Sequence, residues 1–127
     1  MTDVIKLMIV DDSSRARMAL TAFLSLQVGV NITALAANGR EALEMFQDRV
    51  PDVVLMDMKM PVMDGLEATR IIKNRWPEVR VIILSMYSDY VSEALSSGAD
   101  QFLVKGCSMQ EMMSAITGRS EDVQTLT

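Results

Sequence analysis

Short apolar runs alternate with amphipathic segments along this chain, and that alternation restricts the possible folds more than any other feature. Runs of this kind are typical of strands buried on both faces of a parallel sheet. A strand followed by a helix, five times over, predicts an α/β fold with right-handed crossovers and an open, doubly wound sheet. The predicted strands are residues 5–10, 31–36, 53–56, 80–84 and 102–104.

Three of the predicted helices begin with a recognisable start signal. A side chain that can cap a helix stands three residues before a glutamate, which is the spacing of a capping box. These pairs are Asn38 with Glu41, Asp64 with Glu67, and Ser108 with Glu111. The first helix is predicted over residues 14–26, and its buried face is expected to hold Ala16, Leu20, Phe23 and Leu24. The fourth, over residues 88–97, has the weakest pattern.

The amino-acid composition limits the functions that this chain can have. The 127 residues fit one domain, half of them are hydrophobic, and the net charge is −5. Because no apolar stretch approaches the roughly 20 residues of a membrane span and no basic cluster suits phosphate contacts, neither membrane nor nucleic-acid binding is expected. The single cysteine, Cys107, and the lack of a visible secretion signal favour a cytoplasmic protein. Histidine is absent, which excludes histidine-based catalysis within the domain.

Polar side chains follow four of the predicted strands, at the edge where parallel sheets place ligands. They are Asp11, Asp12, Asp57, Ser85 and Lys105. If the first and third strands are neighbours, three carboxylates converge, repel one another unless a cation is bound, and favour Mg²⁺. Asp57 would then act as a nucleophile toward phosphorus, Lys105 would offset charge on the phosphoryl oxygens, and Ser85 would donate to one of them.

Four stretches of the chain resemble the response-regulator receiver domain of two-component signalling. They are residues 10–12, 55–65, 84–86 and 98–105, and the Met-Pro-Val-Met-Asp-Gly loop after Asp57 is a specific signal. The resemblance covers about residues 5–117. We therefore expect a receiver domain over residues 1–117 and a polar tail or the start of a linker over residues 118–127.

The resemblance implies a flavodoxin-like fold with strand order 2-1-3-4-5 and five helices. It also implies a signalling switch, not an enzyme, that catalyses only its own phosphorylation and dephosphorylation. The implied roles are phosphoacceptor for Asp57, direct Mg²⁺ ligand for Asp12, water-mediated ligand for Asp11, metal-binding backbone carbonyl for Lys59, switch hydroxyl for Ser85, phosphate-pairing lysine for Lys105 and rotating aromatic for Phe102.

The implied partner is a histidine kinase or a phosphotransfer protein. Residues 84–88 are similar to receivers that precede a LuxR-type helix-turn-helix output domain, so control of transcription through a DNA-binding domain outside this chain is expected. A phosphorylation-dependent homodimer is expected through the face of the fourth helix, fifth strand and fifth helix, where Tyr87, Tyr90 and Val91 would be repositioned.

Three residues depart from the family pattern. Gly106 stands where many members have proline, Phe102 replaces tyrosine, and the Lys59 ammonium lies at the pocket mouth, within reach of a phosphoryl group.

A phosphohydrolase of the haloacid-dehalogenase type would need Asp-x-Asp after the first strand, which here ends in Asp11-Asp12, and usually a cap domain. A flavin-binding electron carrier would need a phosphate loop at the same place, where these carboxylates would repel it. A receiver-like scaffold that is never phosphorylated also stays open.

Overall fold

The computed structural model describes residues 4–118, in which strands and helices alternate. The elements are β1 (Ile5–Val10), α1 (Ser14–Leu24), β2 (Val30–Ala36), α2 (Gly39–Phe46), β3 (Val53–Asp57), α3 (Gly65–Arg75), β4 (Arg80–Ser85), α4 (Val91–Ser96), β5 (Gln101–Val104) and α5 (Met109–Thr117). A short 3₁₀ turn, Ser88–Tyr90, precedes α4. The parallel strands form one sheet in the order β2-β1-β3-β4-β5, which confirms the predicted flavodoxin-like topology.

The sheet is the central layer because its apolar side chains point alternately to two layers of helices. Every residue of β3, the middle strand, is buried. On one side Phe46 and Ile72, from α2 and α3, pack against strand residues such as Met56. On the other side Leu24 of α1 and Ile116 of α5 pack on the opposite strand face. Burial on both faces fixes the register, so all five strands end at one common edge.

The predicted cap residues begin their helices. The side chains that accept a backbone N–H three residues later are those of Asn38, Asp64 and Ser108. Ser108 and Glu111 form a complete capping box, because the Glu111 carboxylate also accepts from the Ser108 N–H at 3.0 Å. Glu41 differs, since its carboxylate accepts from the Ala37 N–H at 2.9 Å.

Several element bounds differ from the prediction. α1 ends at Leu24 and not at residue 26. The Ser25 N–H still bonds to a carbonyl four residues earlier, but the N–H groups of Leu26 and Gln27 bond only three residues back. Phe23, predicted on the buried face, is 60% exposed. α1 packs over β1 and β2, at one side of the sheet, and Leu24 is its fully buried residue. The first three residues of the predicted fourth helix form the 3₁₀ turn. β2 and β5 begin one residue earlier than predicted, and β3 and β4 end one residue later.

Two long cationic side chains tie helices to the amino edge of the sheet. Lys73, near the end of α3, donates to the Val79 carbonyl at 2.8 Å and pairs with Asp100 at 2.9 Å. Arg80, the first residue of β4, donates to the Ala115 carbonyl of α5 at 2.7 Å. These contacts fix the ends of α3 and α5 against the starts of β4 and β5.

α5 is followed by Gly118, whose left-handed φ of +75° suits the residue that caps a helix C-terminus. The predicted tail beyond it lies outside the described residues, so its boundaries stay a prediction. Between residues 4 and 118 no helix is long and apolar enough to cross a bilayer.

Candidate functional site

Three carboxylates meet at the carboxyl edge of the sheet. β1 and β3 are hydrogen-bonded neighbours with Val10 opposite Met56, so the aspartates that follow these residues lie side by side. One oxygen from each of Asp11, Asp12 and Asp57 lies within 4.8 Å of the other two. Asp11 and Asp57 are buried, whereas Asp12 is exposed to solvent.

Lys105 neutralises part of this negative charge. Its ammonium lies 3.1 Å from Oδ1 of Asp57 and 3.2 Å from Oδ2 of Asp11. It reaches them because β5 ends beside β4, where the Lys105 N–H donates to the Ser85 carbonyl at 2.7 Å. Burial lowers the pKa of Lys105, but the hydrogen bond and charge of Asp57, and then Asp11, raise that pKa overall. The side chain is therefore a fixed cation of the site.

The pKa of Asp57 is raised from its ordinary value of 3.8 to about 6. Burial is the largest cause, and the negative charge of Asp11 adds to it. Lys105 lowers the pKa through its hydrogen bond and charge, and Asp12 raises it slightly. A divalent cation would relieve this repulsion. The donor set fits Mg²⁺, which takes carboxylate and carbonyl oxygens together with waters, and the backbone carbonyl of Lys59 is the further ligand that the family resemblance implies.

The loop between β3 and α3 packs tightly against the backbone of Asp57. A Cβ on Gly65 would lie 2.2 Å from the Asp57 backbone oxygen, so only glycine fits at the start of α3 without a shift. Within the loop, the Met63 N–H donates to the Pro61 carbonyl at 2.7 Å. This γ-turn gives Val62 a φ of +69°, an unfavourable conformation for a β-branched residue.

The two residues predicted to switch lie on neighbouring strands. Ser85 is the buried last residue of β4, and its Oγ accepts from the Tyr87 N–H at 3.1 Å. Phe102 of β5 is paired with Ile83 of β4 and is half-buried. Its ring packs against the core cluster that includes Ala94 of α4. Ser85 and Phe102 therefore lie on adjacent strands, and Phe102 is only partly buried.

The side chain of Lys59 lies on an aromatic ring. Its Nζ is 4.8 Å from the centroid of Tyr90, which is a cation–π distance. The ring of Tyr90 also meets that of Tyr87 edge-on, with centroids 6.5 Å apart. The sequence placed this ammonium at the pocket mouth and gave no signal for the contact with Tyr90, because the two residues come from different loops.

Arg17 is a residue beside the site that sequence reasoning missed. From α1 its guanidinium donates to the backbone carbonyl of Asp11. The Ser13 N–H donates to Oδ1 of the same aspartate at 2.9 Å. Together these bonds fix the turn that carries Asp11 and Asp12. The available signal for this role was a basic residue early in the helix that follows the acidic pair. Arg15 has the same property, so the sequence did not distinguish Arg17 from Arg15.

The chain is similar to known proteins in both sequence and structure. Residues 7–117 match the family model described as "Response regulator receiver domain". The chain is 37% identical over 115 residues to the transcriptional regulatory protein LnrK of Bacillus subtilis (strain 168), a match that covers 89% of this chain and 52% of LnrK. The chain thus spans about half the length of that relative.

Two solved structures resemble it as well. One is a DNA-binding response regulator of the LuxR family from Staphylococcus aureus, with a TM-score of 0.83, 27% identity, and coverage of 91% of this chain and 98% of that chain. The other is a chain of the CheX–CheY–BeF₃–Mg²⁺ complex from Borrelia burgdorferi, with a TM-score of 0.81, 30% identity, and coverage of 90% and 87%.

Proposed function

Because this chain belongs to the response-regulator receiver family, we propose that it is a phosphorylation switch whose Asp57 takes a phosphoryl group from a partner histidine kinase or phosphotransfer protein. One arrangement carries the proposal: the buried Asp57 carboxylate lies 3.1 Å from the Lys105 ammonium and beside the carboxylates of Asp11 and Asp12. It supplies a nucleophile, a neutralising cation and a divalent-cation site in one cleft.

In the proposed reaction, an Asp57 oxygen attacks the phosphorus of a phosphohistidine. A P–O bond to Asp57 forms as the P–N bond to the imidazole breaks, and the electron pair of that bond leaves with the imidazole nitrogen, which takes a proton from solvent. With a pKa of about 6, the carboxylate is mostly ionised at neutral pH. Lys105 then donates to a phosphoryl oxygen. Dephosphorylation is a separate reaction, in which water attacks phosphorus, the P–O bond to Asp57 breaks, and inorganic phosphate is released with the Asp57 carboxylate restored.

The residues that would hold Mg²⁺ are Asp11, Asp12, Asp57 and the backbone carbonyl of Lys59. When bound, the ion would offset negative charge on the transferring phosphoryl oxygens. The similar Borrelia burgdorferi structure was solved with BeF₃ and Mg²⁺, which supports extending the same requirement to this chain.

Phosphorylation would change the surroundings of Ser85 and so produce an output. The Ser85 hydroxyl would turn to donate to a phosphoryl oxygen, and Phe102 would fill the space that it leaves. LnrK is named as a transcriptional regulatory protein and the Staphylococcus aureus structure as a DNA-binding response regulator. We therefore propose control of transcription through a DNA-binding part of the whole protein. A cytoplasmic location and the lack of any external substrate belong to the same proposal.

We propose that the phosphorylated state is read on the face formed by α4, β5 and α5. Tyr87 and Met86 beside α4, Leu95 on α4 and Val104 on β5 are large hydrophobic side chains exposed on this part of the molecule. Large apolar side chains exposed on adjacent elements are typical of interaction surfaces. The proposed occupant is a second phosphorylated copy, and a coupling free energy of about 1–3 kcal/mol would suffice.

Mass spectrometry after incubation with acetyl phosphate and Mg²⁺ tests the proposal. We expect one added phosphoryl group on the wild-type chain and almost none on Asp57→Asn, since an amide of the same shape is not nucleophilic. Excess chelator should also stop labelling. Asp52→Asn is the matched control, because Asp52 lies at the other end of β3, where it accepts from the Lys6 N–H. An unlabelled wild-type chain would support the scaffold reading instead.

A further inference from the structure

The side chains of Lys59 and Tyr90 connect the two loops that flank the candidate site. Lys59 lies in the loop after β3, two residues beyond Asp57, and Tyr90 ends the 3₁₀ turn after β4. We propose that Tyr90 is a positioning residue that holds the Lys59 ammonium on its ring while Asp57 is unphosphorylated, and releases it to the phosphoryl group when Asp57 is phosphorylated. This inference rests on the proposed function and deepens it.

The first support is that Lys105 and Lys59, which follow different strands at the carboxyl edge, make different contacts. Lys105 pairs with Asp57 and Asp11. Lys59, which is exposed, instead places its Nζ 4.8 Å from the centroid of the Tyr90 ring, and among residues 4–118 it forms no ion pair with a carboxylate. Because cations repel one another, a second ammonium among the carboxylates would compete with Mg²⁺. Holding Lys59 on the ring keeps that place available for the metal.

The second support is a chain of contacts from the switch hydroxyl to the same ring. Oγ of Ser85 accepts from the Tyr87 N–H at 3.1 Å, and the rings of Tyr87 and Tyr90 meet edge-on with centroids 6.5 Å apart. A Ser85 that turns toward a phosphoryl group on Asp57 gives up this N–H, which frees the aromatic pair to move. The new phosphoryl charge also attracts Lys59. Both effects weaken the Lys59–Tyr90 contact in the phosphorylated state.

Removal of the ring therefore has a kinetic consequence. Without it, Lys59 is free to meet the phosphoryl group of a small donor in the site. We expect Tyr90→Leu to raise the initial rate of labelling by acetyl phosphate at saturating Mg²⁺ by about threefold, the size expected for the loss of an exposed cation–π contact. Tyr90→Phe keeps a ring and should label at nearly the wild-type rate.

The contact itself is measured by NMR of the Lys59 ε-methylene group, assigned from its loss in Lys59→Met. In the unphosphorylated protein the ring should displace this resonance from those of other exposed lysines. Tyr90→Phe should retain the displacement, and Tyr90→Leu should remove it. Addition of acetyl phosphate and Mg²⁺ to the wild-type chain should remove it as well.

A double-mutant comparison separates positioning from a structural effect. Lys59→Met deletes the ammonium but keeps the backbone carbonyl, so Tyr90→Leu should leave its labelling rate unchanged in that background. Two results would overturn this inference alone, provided that the wild-type chain labels normally. One is a threefold effect of Tyr90→Leu that persists in the Lys59→Met background. The other is a Lys59 resonance that Tyr90→Leu does not change. A wild-type chain that cannot be labelled at all overturns the proposed function, and this inference with it.

Discussion

The start of α3 and the proposed phosphoacceptor are in direct backbone contact, since a β-carbon on Gly65 would lie 2.2 Å from the carbonyl oxygen of Asp57. Gly65→Ala should therefore push the backbone of Asp57 out of place. We expect the free energy of unfolding to fall by about 1–3 kcal/mol and labelling by acetyl phosphate to slow markedly. Urea unfolding and mass spectrometry measure the two effects.

Gly29→Ala is the matched control for this prediction. Gly29 has a φ of +88°, but nothing lies within 4 Å of an added Cβ. The substitution should cost stability through backbone strain alone and leave the labelling rate unchanged. Equal slowing in both variants would show that general destabilisation, and not the contact with Asp57, controls labelling.

The raised pKa of Asp57 predicts a pH-dependent stability. The pKa is about 6 in the folded, metal-free chain, against an ordinary value of 3.8. The folded state thus binds this proton more tightly than the unfolded state, so the contribution is fully present below pH 3.8 and is lost as the pH rises through about 6. In chelator at pH 8, Asp57→Asn should be more stable than the wild-type chain by roughly 1–3 kcal/mol.

Urea unfolding at pH 8 and pH 4 measures this difference, which should nearly vanish at the lower pH. Added Mg²⁺ should narrow it at pH 8, because the ion stabilises the wild-type chain that binds it. A metal-free wild-type chain more stable than Asp57→Asn at pH 8 would mean that the Lys105 ion pair outweighs burial and the repulsion from Asp11.

Val62 offers a test of backbone strain. Its φ is +69° and its side chain is 71% exposed, so glycine would relieve strain and lose little apolar contact. We expect Val62→Gly to raise the free energy of unfolding by about 0.5–1 kcal/mol. Val28→Gly, at a side chain 99% exposed with no left-handed φ, should instead lower it. Thermal and urea unfolding that give the same sign for both would rule out strain at Val62.

Trp76 supplies an internal control for these titrations. It follows the last residue of α3, where its ring packs on that of Phe46 with centroids 4.8 Å apart. This end of α3 is opposite the edge that carries Asp57. Tryptophan emission should therefore report urea unfolding and stay unchanged as Mg²⁺ binds. A quench that saturates with Mg²⁺ would place the metal elsewhere.

The proposed dimer face predicts different results for two exposed leucines. Leu95 on α4 is 50% exposed, and Leu26 after α1 is 79% exposed on another part of the molecule. We expect the wild-type chain loaded with beryllofluoride and Mg²⁺ to dimerise in sedimentation velocity. Leu95→Asp should remain monomeric and Leu26→Asp should dimerise. A loaded wild-type chain that stays monomeric would contradict the proposed face.

Much of the site was predictable because parallel strands end at a common edge. Once β1, β3, β4 and β5 are recognised from their apolar runs, the residues that end them must gather. The apolar runs alone were enough to place Asp57, Ser85 and Lys105 at this edge. The convergence of the three carboxylates also required β1 and β3 to be neighbours, and that strand order came from the resemblance to receiver domains.

The contacts that sequence reasoning missed involve long, flexible side chains. Arg17 and Lys59 can each reach several partners, and tertiary packing selects the Asp11 carbonyl for one and the Tyr90 ring for the other. The prediction that Phe23 is buried was wrong for a related reason. Helical periodicity predicts where an apolar face lies, but how much of that face the sheet covers depends on where the helix sits across it.

The ties of Lys73 and Arg80 at the amino edge have a mechanical consequence. They join the ends of α3 and α5 to the starts of β4 and β5, so this end of the sheet is held more rigidly than the carboxyl edge. We therefore expect a displacement near Ser85 to be taken up by the loops at the carboxyl edge, while the amino edge acts as the stationary part of the domain.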